Sequence, residues 1–237
     1  MTPTPLSLRL LRKASLLVLV LLVLGSTVSC GQNASGTDDL LEESWRDLLV
    51  LTGNRADDTD ALLDAMEISE GDWVADVGSG DGDYTIPMAE RVGPSGRVLA
   101  VDVDADALDD LNERLRDNDI EHVTSVYSVE DNPMLPPNAF DAVLVRNAYH
   151  HFTAPESMLR HINAALKSDG RLVIEESINE DMIGKSRAEQ VDNHDLGIAY
   201  VREELKAAGF TIQKEENPLM ETNWGVYWMI VATRPAR

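Results

Sequence analysis

Cysteine is nearly missing from this 237-residue chain: Cys30 stands alone, which excludes an internal disulfide framework and any Cys-rich zinc site. Basic residues are scarce as well. Twenty Lys and Arg face 42 Asp and Glu, for a formal net charge of −22. That shortage argues against a nucleic-acid surface, which needs clustered Lys and Arg, and against direct attraction to anionic membranes. Long apolar runs are lacking too. The run from Ala14 to Leu24 reaches only about half of the ~20 residues that a spanning helix requires. What remains, 43% hydrophobic and 26% charged residues, describes a folded globular chain long enough to bury a sizeable core.

The few cations are unevenly spread. Arg9, Arg12 and Lys13 precede the apolar run, and no acid occurs in the first 30 residues. Small residues follow, Gly25, Ser26, Thr27 and Ser29, and then Cys30. This order of basic, apolar and small segments reads as a secretory signal. Thr27-Val28-Ser29-Cys30-Gly31 resembles a bacterial lipobox, with Thr27 where such motifs usually carry Leu. It implies lipidation of Cys30, export, and attachment to the cell envelope through that anchor alone. A plain signal peptide with an incidental cysteine is the alternative. Residues 1–29 are therefore expected to be removed, and 30–37, small and polar, to form a tether. Beyond residue 30, only Lys167, Lys185, Lys206 and Lys214 represent lysine. An Asp-rich, Lys-poor surface resembles halophilic proteins, in which molar salt screens self-repulsion.

Apolar spacing predicts helices over Asp38–Leu51 and Thr59–Ile68, with Thr37 or Asp38 and Thr59 as caps, in an extension covering 38–71. Strand-like runs then recur at Trp73–Val77, Arg97–Asp102, His122–Val126, Phe140–Arg146 and Gly170–Glu175. Helical stretches lie between them at Tyr84–Val92, Ala105–Asn118 and Pro155–Leu166. A late helix, Val201–Ala208, precedes two last strands, Phe210–Lys214 and Tyr227–Thr233. Prolines 133, 136 and 137 mark Ser128–Ala139 as a loop. The rhythm implies one α/β domain over 72–233, a doubly wound, mostly parallel sheet of seven strands.

The first strand turns into its helix through Val77-Gly78-Ser79-Gly80-Asp81-Gly82-Asp83. Doubly wound sheets bind nucleotides at that turn, and glycines let a ligand approach the backbone. Asp102, at the end of the second strand, can accept both hydroxyls of a ribose. A dinucleotide fingerprint requires glycine at position 83, where this chain has Asp. Asp76, Asp81 and Asp83 would repel a pyrophosphate but suit a ligand carrying an amino group and a sulfonium. S-adenosyl-L-methionine fits that charge better than NAD.

Asp76-Val77-Gly78-Ser79-Gly80-Asp81-Gly82 resembles motif I of the class I S-adenosylmethionine-dependent methyltransferases. The Asp102 strand end, Phe140–Val145 and Leu166–Ile174 resemble further segments of that family, and the likeness covers about residues 55–233. Asn147-Ala148-Tyr149-His150-His151-Phe152 is similar to a subgroup of predicted small-molecule methyltransferases that often carry signal peptides. The resemblance implies a Rossmann-like methyltransferase fold with S-adenosyl-L-methionine as cofactor. Asp76, Gly78, Ser79, Gly80 and Gly82 would form the pocket for its methionine half, Asp102 would take the ribose, and Val103 would pack on adenine. Asp131, with Glu130 as its competitor, would meet the adenine amino group, and Asn147 would face the same crevice.

Methyl transfer from a sulfonium needs alignment above all, and a base only where the acceptor must lose a proton. Tyr149, His150 and His151 follow the fourth strand, at the sheet edge where acceptors dock, and a histidine there suits that base. Metal ligation by the pair, or packing against Phe152, are the alternatives; no metal is expected. Glu175 and His194 are weaker candidates for the acceptor pocket, and Trp224, Tyr227 and Trp228 read as core. The function expected is methyl transfer to a small-molecule acceptor. An exported cofactor-binding protein without transferase activity is the second reading, and an NAD-dependent oxidoreductase the third. Mass spectrometry of the mature N-terminus should find Cys30 lipidated as the first residue; a free thiol there, or a different start, would refute the anchor.

Overall fold

The computed structural model describes residues 55–222 and 225–234. The expected signal, tether, Cys30, the Asp38–Leu51 helix and Trp224 lie outside the described residues. Among those described, no helix is long and apolar enough to cross a membrane.

Seven strands form one mixed sheet: β1 Trp73–Val77, β2 Arg97–Asp102, β3 Val123–Tyr127, β4 Phe140–Arg146, β5 Leu166–Ile178, β6 Thr211–Glu221 and β7 Val226–Thr233. Their order across the sheet is β3-β2-β1-β4-β5-β7-β6. The first five run parallel, and β7 is antiparallel to both β5 and β6. This is the doubly wound α/β fold the sequence rhythm implies. From β1 the chain winds outward through β2 and β3, then returns to place β4 on the other side of β1, so a crevice opens above the carboxyl ends of β1 and β4.

Both faces of the sheet are buried, which is why its central strands read as unbroken apolar runs. Along β4, Val143 and Val145 join one core while Ala142 and Leu144 join the other. β7 alternates likewise, with Trp228 and Ile230 on the first face and Met229 and Val231 on the second. Helices α1 Arg55–Met66 and α2 Thr85–Val92 cover the second face through Leu62, Met66, Met88 and Val92. Helix α3 Ala105–Asp117 buries Leu108, Leu111 and Leu115 on one stripe. Asp104 caps it, accepting from the amides of Asp106 and Ala107. On the first face lie α4 Pro155–Ala165 and, after the short α5 Arg187–Asp192, α6 Ile198–Ala207.

Several boundaries depart from the sequence expectation for identifiable reasons. Thr59 lies inside α1 rather than capping it. β5 continues beyond Glu175 because Arg171–Ile178 pairs with β7, and two fully buried acids, Glu175 and Glu176, mask its apolar pattern. β6 runs on to Glu221 through two register shifts, which break its alternation. α5 was not expected, although Ser186 and Glu189 form a reciprocal capping box at its start.

Trp228 is fully buried, and its indole N–H donates to the carbonyl of Leu196 at 2.7 Å. Trp228→Phe should therefore destabilise the fold by about 1–3 kcal/mol, from a stranded carbonyl and a small cavity. Urea unfolding would measure it.

Candidate functional site

β1 ends at Val77, and the chain turns sharply to reach α2. The amides of Gly78 and Ser79 both donate to the carbonyl of Val101, at 2.8 and 3.1 Å, which binds the turn to β2. Gly78 has φ +80°, and a Cβ there would sit 2.3 Å from the Cβ of Ala148. At Gly82, φ is +90° and a Cβ would meet a Leu111 methyl carbon at 2.3 Å. Glycine is thus required twice, for backbone conformation and for close packing. Gly80 differs: nothing lies within 4 Å of where its Cβ would be.

Asp102 completes the turn. One carboxylate oxygen accepts from the Gly80 amide at 2.8 Å and the other from the Asp104 amide at 2.9 Å. Each oxygen keeps a further lone pair for a ligand hydroxyl.

A cleft of about 560 Å³ opens above this turn. Of the expected binding residues, Gly78, Gly80, Asp102, Val103, Glu130 and Asn147 line it. His151, Phe152 and Met158 line it as well. The lining carries three carboxylates, Asp102, Asp104 and Glu130, and neither Lys nor Arg. Asp81 and Asp83, expected to set the charge of the turn, instead pair with Arg114 at 3.2 and 3.1 Å. The negative charge at the cleft thus comes from different residues than those read in the sequence. Asp104 and Ser128, which also line the cleft, were missed, since a cap and a loop serine carry no distinctive pattern.

Beneath the turn lies a charged layer. Asp76 is 2% exposed and accepts the Thr85 hydroxyl at 2.6 Å. Burial pushes its pKa up to about 6, with Asp102 adding to the rise, while the Thr85 hydroxyl and Arg146 oppose it. The guanidinium of Arg146 lies 2.7 Å from the fully buried Glu175 and 4.8 Å above the Tyr84 ring. Glu175 is thus a structural partner of Arg146 and does not line the cleft. Asp76, Ser79 and Gly82, expected to form the pocket, do not line the cleft.

The three candidates after β4 separate. Tyr149 is completely buried and turned away, its hydroxyl donating to Glu204 at 2.8 Å on α6. Burial and Glu204 raise the phenol pKa far above its usual range, so Tyr149 is corrected to a structural residue. His150 is 3% exposed and its Nδ1 lies 2.9 Å from the buried carboxylate of Glu176. It does not line the cleft either. His151 alone of the three does. Its pKa is lowered, by partial burial first and then by His150 and His194, which keeps a neutral ring available near neutral pH. Asp131 lies outside the lining, on the exposed loop beside Glu130. His194 stands exposed next to His151, their rings 5.5 Å apart.

Known proteins share the fold. A family described as a methyltransferase domain matches residues 68–223. Demethylmenaquinone methyltransferase of Anoxybacillus flavithermus is 29% identical over 119 residues, half of each chain. A ubiquinone/menaquinone biosynthesis C-methyltransferase of Pseudomonas paraeruginosa is 34% identical over 117 residues, 47% of this chain and 44% of its own. The chain thus spans about half the length of the curated relatives it matches. Among solved structures, a SAM-dependent methyltransferase from Aquifex aeolicus superposes with a TM-score of 0.63 at 23% identity, covering 74% of this chain and 89% of that one. Geranyl diphosphate C-methyltransferase of Streptomyces coelicolor gives 0.65 at 17% identity, covering 76% and 79%. These two establish likeness of fold.

Because the folded state holds the Asp76 proton more tightly than the unfolded chain, ionising it costs stability as pH rises. The loss accrues between the ordinary value of 3.8 and about 6. Relative to wild type, Asp76→Asn should escape a decline of about 2 kcal/mol between roughly pH 4 and pH 7. Denaturant unfolding of both proteins at the two pH values checks this.

Proposed function

The chain belongs to the methyltransferase-domain family, and from that premise we propose that it transfers a methyl group from S-adenosyl-L-methionine to a small-molecule acceptor. The observation that carries the proposal is the cleft itself, which is walled by three carboxylates and no Lys or Arg. Such a wall disfavours the pyrophosphate of a dinucleotide and favours a cationic ligand. The residues present fit the cofactor. Gly80 leaves open space, and Asp102 holds free lone pairs beside it.

Bound there, the sulfonium supplies an electrophilic methyl group. Asp102 accepts the ribose hydroxyls, and Val103, 49% exposed, offers an apolar face to adenine. Glu130, on the cleft wall, is favoured over Asp131 for the adenine amino group. Asn147, on the cleft wall, faces the methionine half. His151 takes the acceptor's proton where one must leave, which its lowered pKa allows. The partial match to proteins named as quinone C-methyltransferases supports a small organic acceptor. The basic, apolar and small-residue order of the first 30 residues supports export and anchoring through Cys30.

Calorimetry with S-adenosylhomocysteine and with NAD, in molar salt, tests the reading. The first should bind and the second should not; binding of NAD alone would refute it. Asp102→Ala should weaken S-adenosylhomocysteine binding by about 1–3 kcal/mol, through stranded ribose hydroxyls. A melting curve of the variant separates lost contacts from a disturbed turn.

A further inference from the structure

Three imidazoles converge beside the cleft. His150 and His151 come from the short 3-10 helix at Tyr149–His151, and His194 from the connection between α5 and α6. Their ring centroids are 4.0 Å apart for His150 and His151, 5.8 Å for His150 and His194, and 5.5 Å for His151 and His194. One ring nitrogen from each lies within 4.8 Å of the other two. We propose that His150, His151 and His194 form a binding site for one divalent transition-metal ion, with an open coordination position at the edge of the cleft.

The donor set defines the metal class. Three neutral imidazoles suit Zn²⁺, Co²⁺ or Ni²⁺ and disfavour the oxygen-seeking Mg²⁺ and Ca²⁺. A tetrahedral zinc ion with bonds of ~2.0–2.1 Å spaces its nitrogens about 3.3 Å apart. His151 and His194 are exposed and can rotate to close that difference, while His150 stays fixed. Three protein ligands leave a fourth position open, which is the arrangement of a reactive rather than a purely structural site.

Glu176 supplies the supporting shell. It is fully buried, accepts the His150 backbone amide at 3.1 Å on one oxygen, and sits 2.9 Å from His150 Nδ1 on the other. With Nδ1 committed, Nε2 is the nitrogen left for an ion, and the carboxylate strengthens it as a donor. The opposite ligand is held just as firmly. His194 has φ +58°, and its amide donates to the Val191 carbonyl at 3.0 Å. Next to it, the buried Asp195 carboxylate accepts from the Asn179 amide, the Asn179 side chain and the Asn193 side chain at 2.9, 2.9 and 2.6 Å. The backbone of His194 is therefore set before any ion arrives. Glu176 and Asp102 are the acids whose fields reach His151, and both favour a cation there.

His151 belongs both to this cluster and to the cleft wall. An ion on it borders the bound methyl donor and takes over from His151 in the acceptor's deprotonation: its open position would hold the acceptor as an anionic oxygen, such as a phenolate or carboxylate. That last assignment rests on the methyltransferase reading; the ion site does not.

The full chain, stripped by chelator dialysis, should be titrated with Zn²⁺ by calorimetry and with Co²⁺ by visible absorption. One ion per chain is expected, with the intense d–d absorption of a tetrahedral Co²⁺ site. His151→Asn and His194→Asn should each weaken binding by at least ~100-fold, and Glu176→Gln by about 10–100-fold. Both histidine positions are exposed, and asparagine tolerates the left-handed backbone at 194, so these variants keep the fold for the comparison. No stoichiometric binding at micromolar metal, or binding unchanged in the His151→Asn/His194→Asn double variant, would overturn the proposal. S-adenosylhomocysteine is titrated in parallel. Metal binding without it would uphold the ion site and refute the methyltransferase reading; the converse would remove the ion site alone.

Discussion

The carboxylate of Asp102 is the joint on which the cleft depends. It ends β2, yet it holds the amide of Gly80 on the neighbouring turn and the amide of Asp104 at the start of α3. Two loops that leave adjacent parallel strands are thereby fixed to one another through charge-assisted bonds. The glycine turn can then adopt left-handed backbone at three positions without collapsing onto the sheet. Everything the cleft offers a ligand follows from this fixed separation: open space at Gly80, lone pairs on Asp102 and an apolar ledge at Val103.

A second layer of charge lies beneath the first and serves a different end. Asp76, Arg146 and Glu175 are placed at the carboxyl edge of β1, β4 and β5, where apolar side chains would otherwise continue the core. Burying them is costly, and only mutual pairing makes it tolerable. The arrangement links β1, β4 and β5 through charge, Arg146 standing between Glu175 and Asp76. Glu176, one residue along β5, turns to the opposite face and performs the same service for His150.

Much of this was legible in the sequence. The apolar runs gave β1, β2 and β4 to the residue, since central strands buried on both faces leave little ambiguity. The edge of the sheet was harder, because buried acids in β5 and register shifts in β6 break the alternation that marks a strand. In the site, the glycines and Asp102 were evident because backbone geometry demands them at fixed spacing. The histidines were only half legible. His150 and His151 are adjacent in sequence, yet only His151 lines the cleft, and His194 reaches them from more than forty residues away. Tyr149 misled for a related reason: its partner Glu204 lies on a distant helix, and no local pattern announces it.

The charge of the cleft wall has a bearing on turnover. Three carboxylates with no Lys or Arg among them respond to the charge of whatever they enclose. On the methyltransferase reading, the donor enters with a positive sulfur, and the spent cofactor is left with a neutral one. The wall therefore grips the spent form less firmly than the fresh one, by a purely Coulombic difference. Exchange of used cofactor for new is then favoured by the protein's own acidity, without any moving part.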